Sequence, residues 1–472
     1  MALAQAQATD QVAGVRYRPG TPGYDARRTG FNLAIEHRPH VIVDARTPGD
    51  VVAAVRQAAA DGRPVAVMNT GHGPSVAADG AVLIRTGGLR GVAVDPVRRT
   101  ARVAGGAVWR DVIAAATPHG LAPLNGSSPA VGVVGYTLGG GIGLLSRRFG
   151  FAADHVRSIE LVTADGRLRR VSAGGDDSAG PARGGDPDLF WALRGAGANF
   201  GVVTALEVDL FPVARLLGGE LCFGGELGAD VVHAYVEWAR AVPEAMASSL
   251  MLMRYPDDPA MPPELRGRHV THVRLAWSGT EESDDLAAGH PWVERLRGIG
   301  PRLVDTVRTM PYTEVGTIHH EPVDEPVPAF DRNVLLRDLD GAAASALWRH
   351  AGPDAAAPLL AEVRAWGGAL SRPPAVPNAV GGRDARFSLM GIAGPDPADR
   401  ARRDEMLDAL APWGTGGTYL NFCGVEDGVG GAVRRAHGPG DLARLRALKA
   451  IHDPGNMFRV NFNVAPSAWA GG

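Results

Sequence analysis

The stretch from residue 40 to residue 75 constrains this chain more than any other. Val41-Ile42-Val43 is a short apolar run, and Thr47-Pro48 supplies an N-cap followed by proline at the first helical position. VVAAVRQAAADG then shows apolar residues at helical spacing and ends at Gly62, a C-cap signal. PVAVM (64–68) is the next strand. This strand–helix–strand unit runs directly into Asn69-Thr70-Gly71-His72-Gly73-Pro74-Ser75, a strand-exit loop of glycines and small polar residues. Such a loop lets backbone N–H groups converge on an anion such as a pyrophosphate. Taken alone, Gly71-His72-Gly73 reads first as a mobile turn with an exposed histidine.

Further along, VLIR and GVAVD (81–95) read as strands before a turn at Pro96–Arg99. A helix is expected from about Val108 to Ala116, and a hairpin over 155–172 turns at Asp165-Gly166. A polar loop over about 173–187 is expected to be exposed and mobile. After Pro212 long strands alternate with Ala-rich helices up to about 412, with helices expected near 229–241 and 354–365 and a strand at 269–279. Leu442, Leu445, Leu448 and Ile451 fall at helical spacing and predict a buried face over 441–452. Asn461 and Asn463 are expected in a short strand after the stop at Asp453–Asn456. Trp109 and Trp191 are expected in the core.

Bulk properties exclude several functions. The 472 residues carry a net charge of about −3, so no basic field points to nucleic acid or an anionic membrane surface. No window approaches a bilayer-spanning apolar run, and MALAQAQATD lacks the marks of a secretory signal. Cys222 and Cys423 cannot build a disulfide framework or a four-thiolate metal site, so a cytoplasmic location is expected. His319-His320-Glu321 looks superficially like a metal cluster. Adjacent side chains in an extended segment point to opposite sides, however, and no metal site is expected.

The second glycine cluster, Gly135 to Gly143, is not a nicotinamide-dinucleotide fingerprint. Gly139 and Gly141 would need a small residue at 144, which is Leu144; Gly141 and Gly143 would need one at 146, which is Ser146. A backbone that contacts phosphate or ring remains the expectation.

Five ordered segments carry a resemblance. They are the histidine loop, PLNGSSPAVGVVGYTLGGGIGLLSRRFGFAADHV (123–156), DPDLFWALRGAGANFGVVTALEVDLFPV (186–213), TYLNF (418–422) and LKAIHDPGNMFRVNFNV (448–464). Together they resemble the berberine-bridge-enzyme-like and 6-hydroxynicotine-oxidase-like flavoproteins of the vanillyl-alcohol-oxidase superfamily. The resemblance runs from about residue 20 to 466 and is weak through about 215–400. It implies an α+β fold: an FAD-binding domain of two α/β subdomains (1–212), a substrate domain with an antiparallel sheet covered by helices (213–412), and a tail (413–472) returning to the first domain. It implies that His72 bonds covalently to the 8α-methyl of FAD. It places Met68, Asn69, Thr70, Gly71, Gly73 and Ser75 at the flavin, with Gly126, Ser127, Val131, Gly132, Gly135, Thr137, Gly139, Gly140 and Gly143 of the second segment. Gly201, Val202, Val203, Asn461 and Asn463 complete the implied cofactor contacts.

Departures from the pattern sharpen this reading. Where many relatives carry a second attachment cysteine, Gly126-Ser127-Ser128-Pro129 has Ser128, whose hydroxyl is far less acidic than a thiol. One covalent link is therefore expected. Val131 resembles the residue of oxygen-reactive members, though an ordinary packed valine reads equally well. Many relatives end Tyr-x-Asn-Tyr with a tyrosine that takes a proton; here Phe422 carries none, which leaves Tyr419 and Asn421 as catalytic candidates with a structural role open to Tyr419. Tyr312, His320, Arg332 and Met390 are the substrate-side candidates. Arg383 is read as a structural ion pair.

The expected activity is that of an oxidase. A small alcohol, amine or secondary-metabolite intermediate gives a hydride to flavin N5, and O2 is the acceptor, yielding H2O2. A dehydrogenase with another acceptor, or a flavin-binding protein with little turnover, is the alternative.

Overall fold

The computed structural model describes residues 14–73, 76–174, 186–279, 285–321, 325–355 and 360–467. Pro74, Ser75 and most of the polar loop over 173–187 therefore lie outside the described residues.

Three sheets organise these residues. The first runs β1 (Val15–Tyr17), β2 (Val41–Asp44), β3 (Val65–Met68) and β4 (Val82–Arg85) in the order β1-β2-β4-β3. β2 and β3 both pair with β4 in parallel, so the strand–helix–strand unit leaves a gap that β4 fills. The helix Pro48–Ala60 covers this sheet; Thr47 and Asp50 close its N-terminus as a reciprocal capping box. Val51, Ala54, Val55 and Ala58 form its buried stripe.

The second sheet is antiparallel, with β5 (Val92–Asp95), β6 (Thr100–Ala104), β7 (Val156–Val162), β8 (Leu168–Ser172) and β9 (Val202–Asp209) in the order β5-β6-β9-β7-β8. Trp109 and Trp191 are buried in its core, as expected.

The third sheet has eight strands: β10 (Arg215–Gly224), β11 (Met246–Arg254), β12 (His269–Trp277), β13 (Val304–Asp305), β14 (Arg308–Pro311), β15 (Phe330–Leu336), β16 (Leu360–Ala365) and β17 (Phe387–Ala393). Its pairings are all antiparallel. The helices Gly228–Ala241, Gly341–Ala351 and Pro397–Ala409 pack on one face, where Leu221, Leu250, Val273, Val363 and Leu389 are buried. Strand alternation sends the intervening residues to the opposite face.

The tail is stitched to the first two sheets. Leu442, Leu445 and Leu448 enter the core of the second sheet, and the amide of Val65 donates to the Met457 carbonyl. Lys449 is fully buried: its ammonium donates to the carbonyls of Asn199 (2.5 Å) and Phe458 (3.1 Å) and pairs with Asp453 at 2.7 Å.

Three expectations are corrected. Residues 360–365 are strand β16 rather than helix. Ile451 is 70% exposed, because the buried stripe of its helix ends with Leu448 and Lys449. Asn461 and Asn463 lie in an irregular segment whose backbone is held by side chains and loops instead of a partner strand. No helix among the described residues is long and apolar enough to cross a membrane.

Candidate functional site

The described part of the histidine loop, 69–73, leaves β3 and is pinned by backbone hydrogen bonds. Phe31 and Asn32 donate backbone N–H groups to the carbonyls of Thr70 and Gly71, both at 3.0 Å. Gly71 has φ +75°, and a Cβ there would come within 2.6 Å of the Gly30 Cα, so two glycines make this contact possible. The Phe31 ring stacks on His72 with centroids 4.0 Å apart and planes 11° from parallel. His72 Nδ1 lies 2.8 Å from Thr70 Oγ1, while Nε2 is buried with no hydrogen-bond partner among the described residues. Burial lowers the imidazole's pKa to about 4. At neutral pH it is uncharged and one ring nitrogen keeps its lone pair, the form in which histidine is a nucleophile. Met68 and Asn69, at the end of β3, are held by the Arg85 guanidinium.

The second segment packs beside this loop. A Cβ on Gly132 would stand 2.7 Å from Asn69 Nδ2, so the two segments touch at that glycine. Gly140 and Gly141 have φ +121° and +80°, and a Cβ on Gly143 would overlap the Asn125 carbonyl oxygen. Ser128 is buried and its Oγ accepts from Ala130 N at 3.3 Å. Val131 is partly buried against the second-sheet core, and Gly126 lies under the Tyr136 ring. Gly135 faces open space, whereas Thr137 is fully buried with an unpartnered hydroxyl.

Tyr419 and Asn421 are brought onto this segment. The Tyr419 hydroxyl accepts from Gly141 N at 2.6 Å, and Asn421 Nδ2 donates to the Tyr136 carbonyl (2.8 Å) and to that hydroxyl (3.1 Å). Gly139 is required here, since a Cβ would overlap Asn421 Oδ1. Burial pushes the Tyr419 phenol well above its usual range. A phenol so placed keeps its proton and fixes backbone. Phe422 packs edge-on against Tyr419 at 5.0 Å, and the Arg364 guanidinium lies 5.1 Å from the Phe422 ring centroid.

On the far side, Asn461 Nδ2 donates to the carbonyls of Ala198 and Phe458. A Cβ on Gly201 would come within 2.5 Å of the Val162 carbonyl oxygen, and Val202 and Val203 are buried core residues of β9. The Oδ1 atoms of Asn461 and Asn463 are buried without partners, as is the Tyr136 hydroxyl. With His72 Nε2 and Thr137 Oγ1, these orphaned polar atoms come from three segments of the expected cradle, the histidine loop, the glycine segment and the tail. Buried polar groups are seldom left unpaired in a complete structure. The set suits a flavin, a planar ligand with hydrogen-bonding groups along one edge.

The substrate-side candidates divide. Met390 lies on the face of the third sheet opposite its three covering helices, paired in register with Asn333 and Glu362. His320 is exposed at φ +48°. Tyr312 is buried instead, its hydroxyl donating to the Pro123 carbonyl (3.0 Å) and to Asn125 Oδ1 (2.6 Å), so it braces the glycine segment. Arg332 is held by Asp404 (2.9 Å) and Asp427 (3.5 Å). Arg383 pairs with Asp154 at 2.6 Å.

Sequence reasoning missed a row of alternating charges on that same face. Arg274 stands 3.7 Å from both Glu220 and Glu362, and Arg364 pairs with Glu362 at 2.8 Å. Arg364 also reaches Ser127 Oγ at 3.4 Å. Ser127, Ile142, Gly143, Ser249, His319 and Arg364 line one cavity of about 30 Å³, so this face looks directly onto the glycine segment. The only signal in the sequence was a charged residue at every second position of a strand, which is informative once register is known.

Comparisons with known proteins agree with this geometry. Residues 39–172 match the FAD binding domain family. The (R)-6-hydroxynicotine oxidase of Paenarthrobacter nicotinovorans is 28% identical across 95% of this chain and 96% of its own length. The crystal structure of 6-hydroxy-D-nicotine oxidase from Arthrobacter nicotinovorans superposes with a TM-score of 0.79 at 23% identity, covering 98% of this chain and all (100%) of that one. Glucooligosaccharide oxidase of Acremonium strictum, described as carrying a 6-S-cysteinyl, 8α-N1-histidyl FAD, superposes at 0.78 and 20% identity over 97% and 98% of the two chains.

Proposed function

We propose that the chain is an FAD-linked oxidoreductase of the vanillyl-alcohol-oxidase superfamily that works as an oxidase holding FAD through a single covalent bond to His72. The state of His72 carries this reading: neutral, stacked on Phe31, and with a buried ring nitrogen that none of the described residues satisfies. Ser128 in place of a thiol, already engaged with the Ala130 amide, supports one tether rather than two.

Bound FAD supplies the redox chemistry, accepting a hydride from a C–H bond of the substrate and passing the electrons to O2. The protein supplies placement. Tyr419 and Asn421 hold the glycine segment of the cradle, and the face of the third sheet opposite its three covering helices offers Glu362, Arg364 and Met390 to a small polar substrate. The similarity to an (R)-6-hydroxynicotine oxidase supports a small organic molecule as that substrate.

His72→Ala is the test. The wild-type protein should stay yellow after acid precipitation and release peroxide with an alcohol or amine. The variant should lose its flavin on precipitation. Covalent flavin retained in the variant would refute the tether. A stably yellow wild type that releases no peroxide, yet is bleached by substrate when a dye replaces oxygen, would make the enzyme a dehydrogenase.

A further inference from the structure

Oxidation of an alcohol to a carbonyl, or of an amine to a neutral imine, removes a proton as well as a hydride, and a positioned base speeds that loss. Of the seven tyrosines, Tyr17 and Tyr24 belong to the first sheet and Tyr235 to the helix side of the third. Tyr312 donates to a backbone carbonyl and an asparagine, and Tyr419 fixes the glycine segment. The Tyr136 hydroxyl has no hydrogen-bond partner among the described residues. Tyr255 differs from all of these, because it is coupled to an imidazole backed by a carboxylate.

Tyr255 follows β11 directly, and its amide bonds to the Arg268 carbonyl at 2.9 Å. Its hydroxyl lies 3.2 Å from His272 Nε2, and His272 Nδ1 lies 3.1 Å from Glu220 Oε2. His272 is opposite Met251 in register, Met251 is opposite Glu362, and Glu220 is opposite Arg274. His272 and Glu220 therefore share the face that carries Glu362 and Arg364, and the Tyr255 hydroxyl reaches it through its contact with His272. A carboxylate only accepts hydrogen bonds, so Nδ1 carries the imidazole proton, Nε2 is the acceptor, and the phenol donates to it. This is the order of groups in a hydroxyl–histidine–carboxylate triad, with a phenol as the outer member. Burial pushes the Tyr255 phenol up to about 12, with Cys222 and Glu220 adding to it. Burial also lowers the His272 imidazole, opposed by the Glu220 hydrogen bond and aided by Arg274 and His320. At rest, then, the phenol is protonated and the imidazole neutral.

Resting on the oxidase reading, we propose that Tyr255 accepts the proton lost from the substrate's O–H or N–H while its own proton passes to His272 Nε2, with Glu220 stabilising the imidazolium. The substrate C–H gives its hydride to the cofactor, the C–O or C–N bond becomes double, and the proton returns to solvent through Tyr255, the half-buried outer member. Cys222 Sγ also sits 3.1 Å from His272 Nδ1, and Glu220, Cys222 and His272 lie close enough to hold a metal ion. Two features oppose that. Burial raises the Cys222 thiol and keeps it protonated, and the Arg274 guanidinium already stands 3.7 Å from the Glu220 carboxylate.

The test uses holoenzyme and anaerobic flavin bleaching by alcohols and amines. Tyr255→Phe and His272→Gln should keep covalent flavin, reduction by dithionite and substrate affinity, while bleaching slows about 100-fold or more. The wild-type rate should fall at acid pH, below the ordinary histidine value of 6.5, and that limb should vanish in His272→Gln. Unchanged bleaching in Tyr255→Phe overturns the proposal. So does nitrogen-resolved NMR placing the His272 proton on Nε2, or stoichiometric zinc that Cys222→Ser removes. If no alcohol or amine bleaches the wild type, the oxidase reading fails by itself, and the NMR measurement still decides whether the proton sits where the relay requires.

Discussion

At Tyr419 a residue type that chemistry would recruit as a base has been used as a clamp. Its hydroxyl accepts from the Gly141 amide and from Asn421, its ring is boxed by Phe151, Trp366 and Phe422, and burial keeps its proton in place. Tyr419→Phe should therefore cost stability on the order of 1–3 kcal/mol, from the amide left unpaired. It should leave the shape of the pH–rate profile unchanged. A lost limb in that profile would show that Tyr419 carries a proton after all. Ser128 shows the same economy, with its hydroxyl absorbed by a local turn.

Single elements separate what was legible in the sequence from what was not. The segments 41–73 and 126–143 could be read because their chemistry is local: caps, glycines and a histidine within a few residues of one another. Glycine spacing there also predicts unequal costs. Gly143→Ala places a methyl on the Asn125 carbonyl and should abolish flavin binding or soluble expression, whereas Gly135→Ala faces open space and should fold normally. Comparable thermal stability in the two variants would contradict this. β16 could not be read, since Leu-Ala-Glu-Val-Arg-Ala is made of helix formers and becomes a strand only by pairing with β11 on one side and β17 on the other. The Tyr255–His272–Glu220 chain was hidden for a related reason. Its two contacts join residues 17 and 52 positions apart in sequence, the longer one only through strand register, which no local pattern encodes.

Across the whole molecule, burial of histidine dominates the response to acid. His37, His269, His272, His319, His437 and His452 are all held below the ordinary value of 6.5, in each case with burial the largest cause. Their folded forms stay neutral while the unfolded chain takes up protons. Stability is therefore full above pH 6.5 and is lost as pH falls below it. His155 runs the other way: burial is outweighed by Asp209 and the Phe149 carbonyl, and its value is raised. The net expectation is a melting temperature lower by on the order of 5–10 °C at pH 5 than at pH 7. A flat melting profile over that range would mean the histidines gain protons without unfolding.

The Lys449 anchor also bears on the order in which the molecule can be assembled. Lys449 joins the backbone of Asn199 to that of Phe458, and Asn199 in turn bonds to Phe462 and Val464. A ribosome that has delivered everything through Gly438 has made the histidine, its stacking partner and both glycine segments, but not the strap that ties the 198–199 loop down. On the reading proposed above, tight flavin capture would wait for the 449–464 strap that holds this loop.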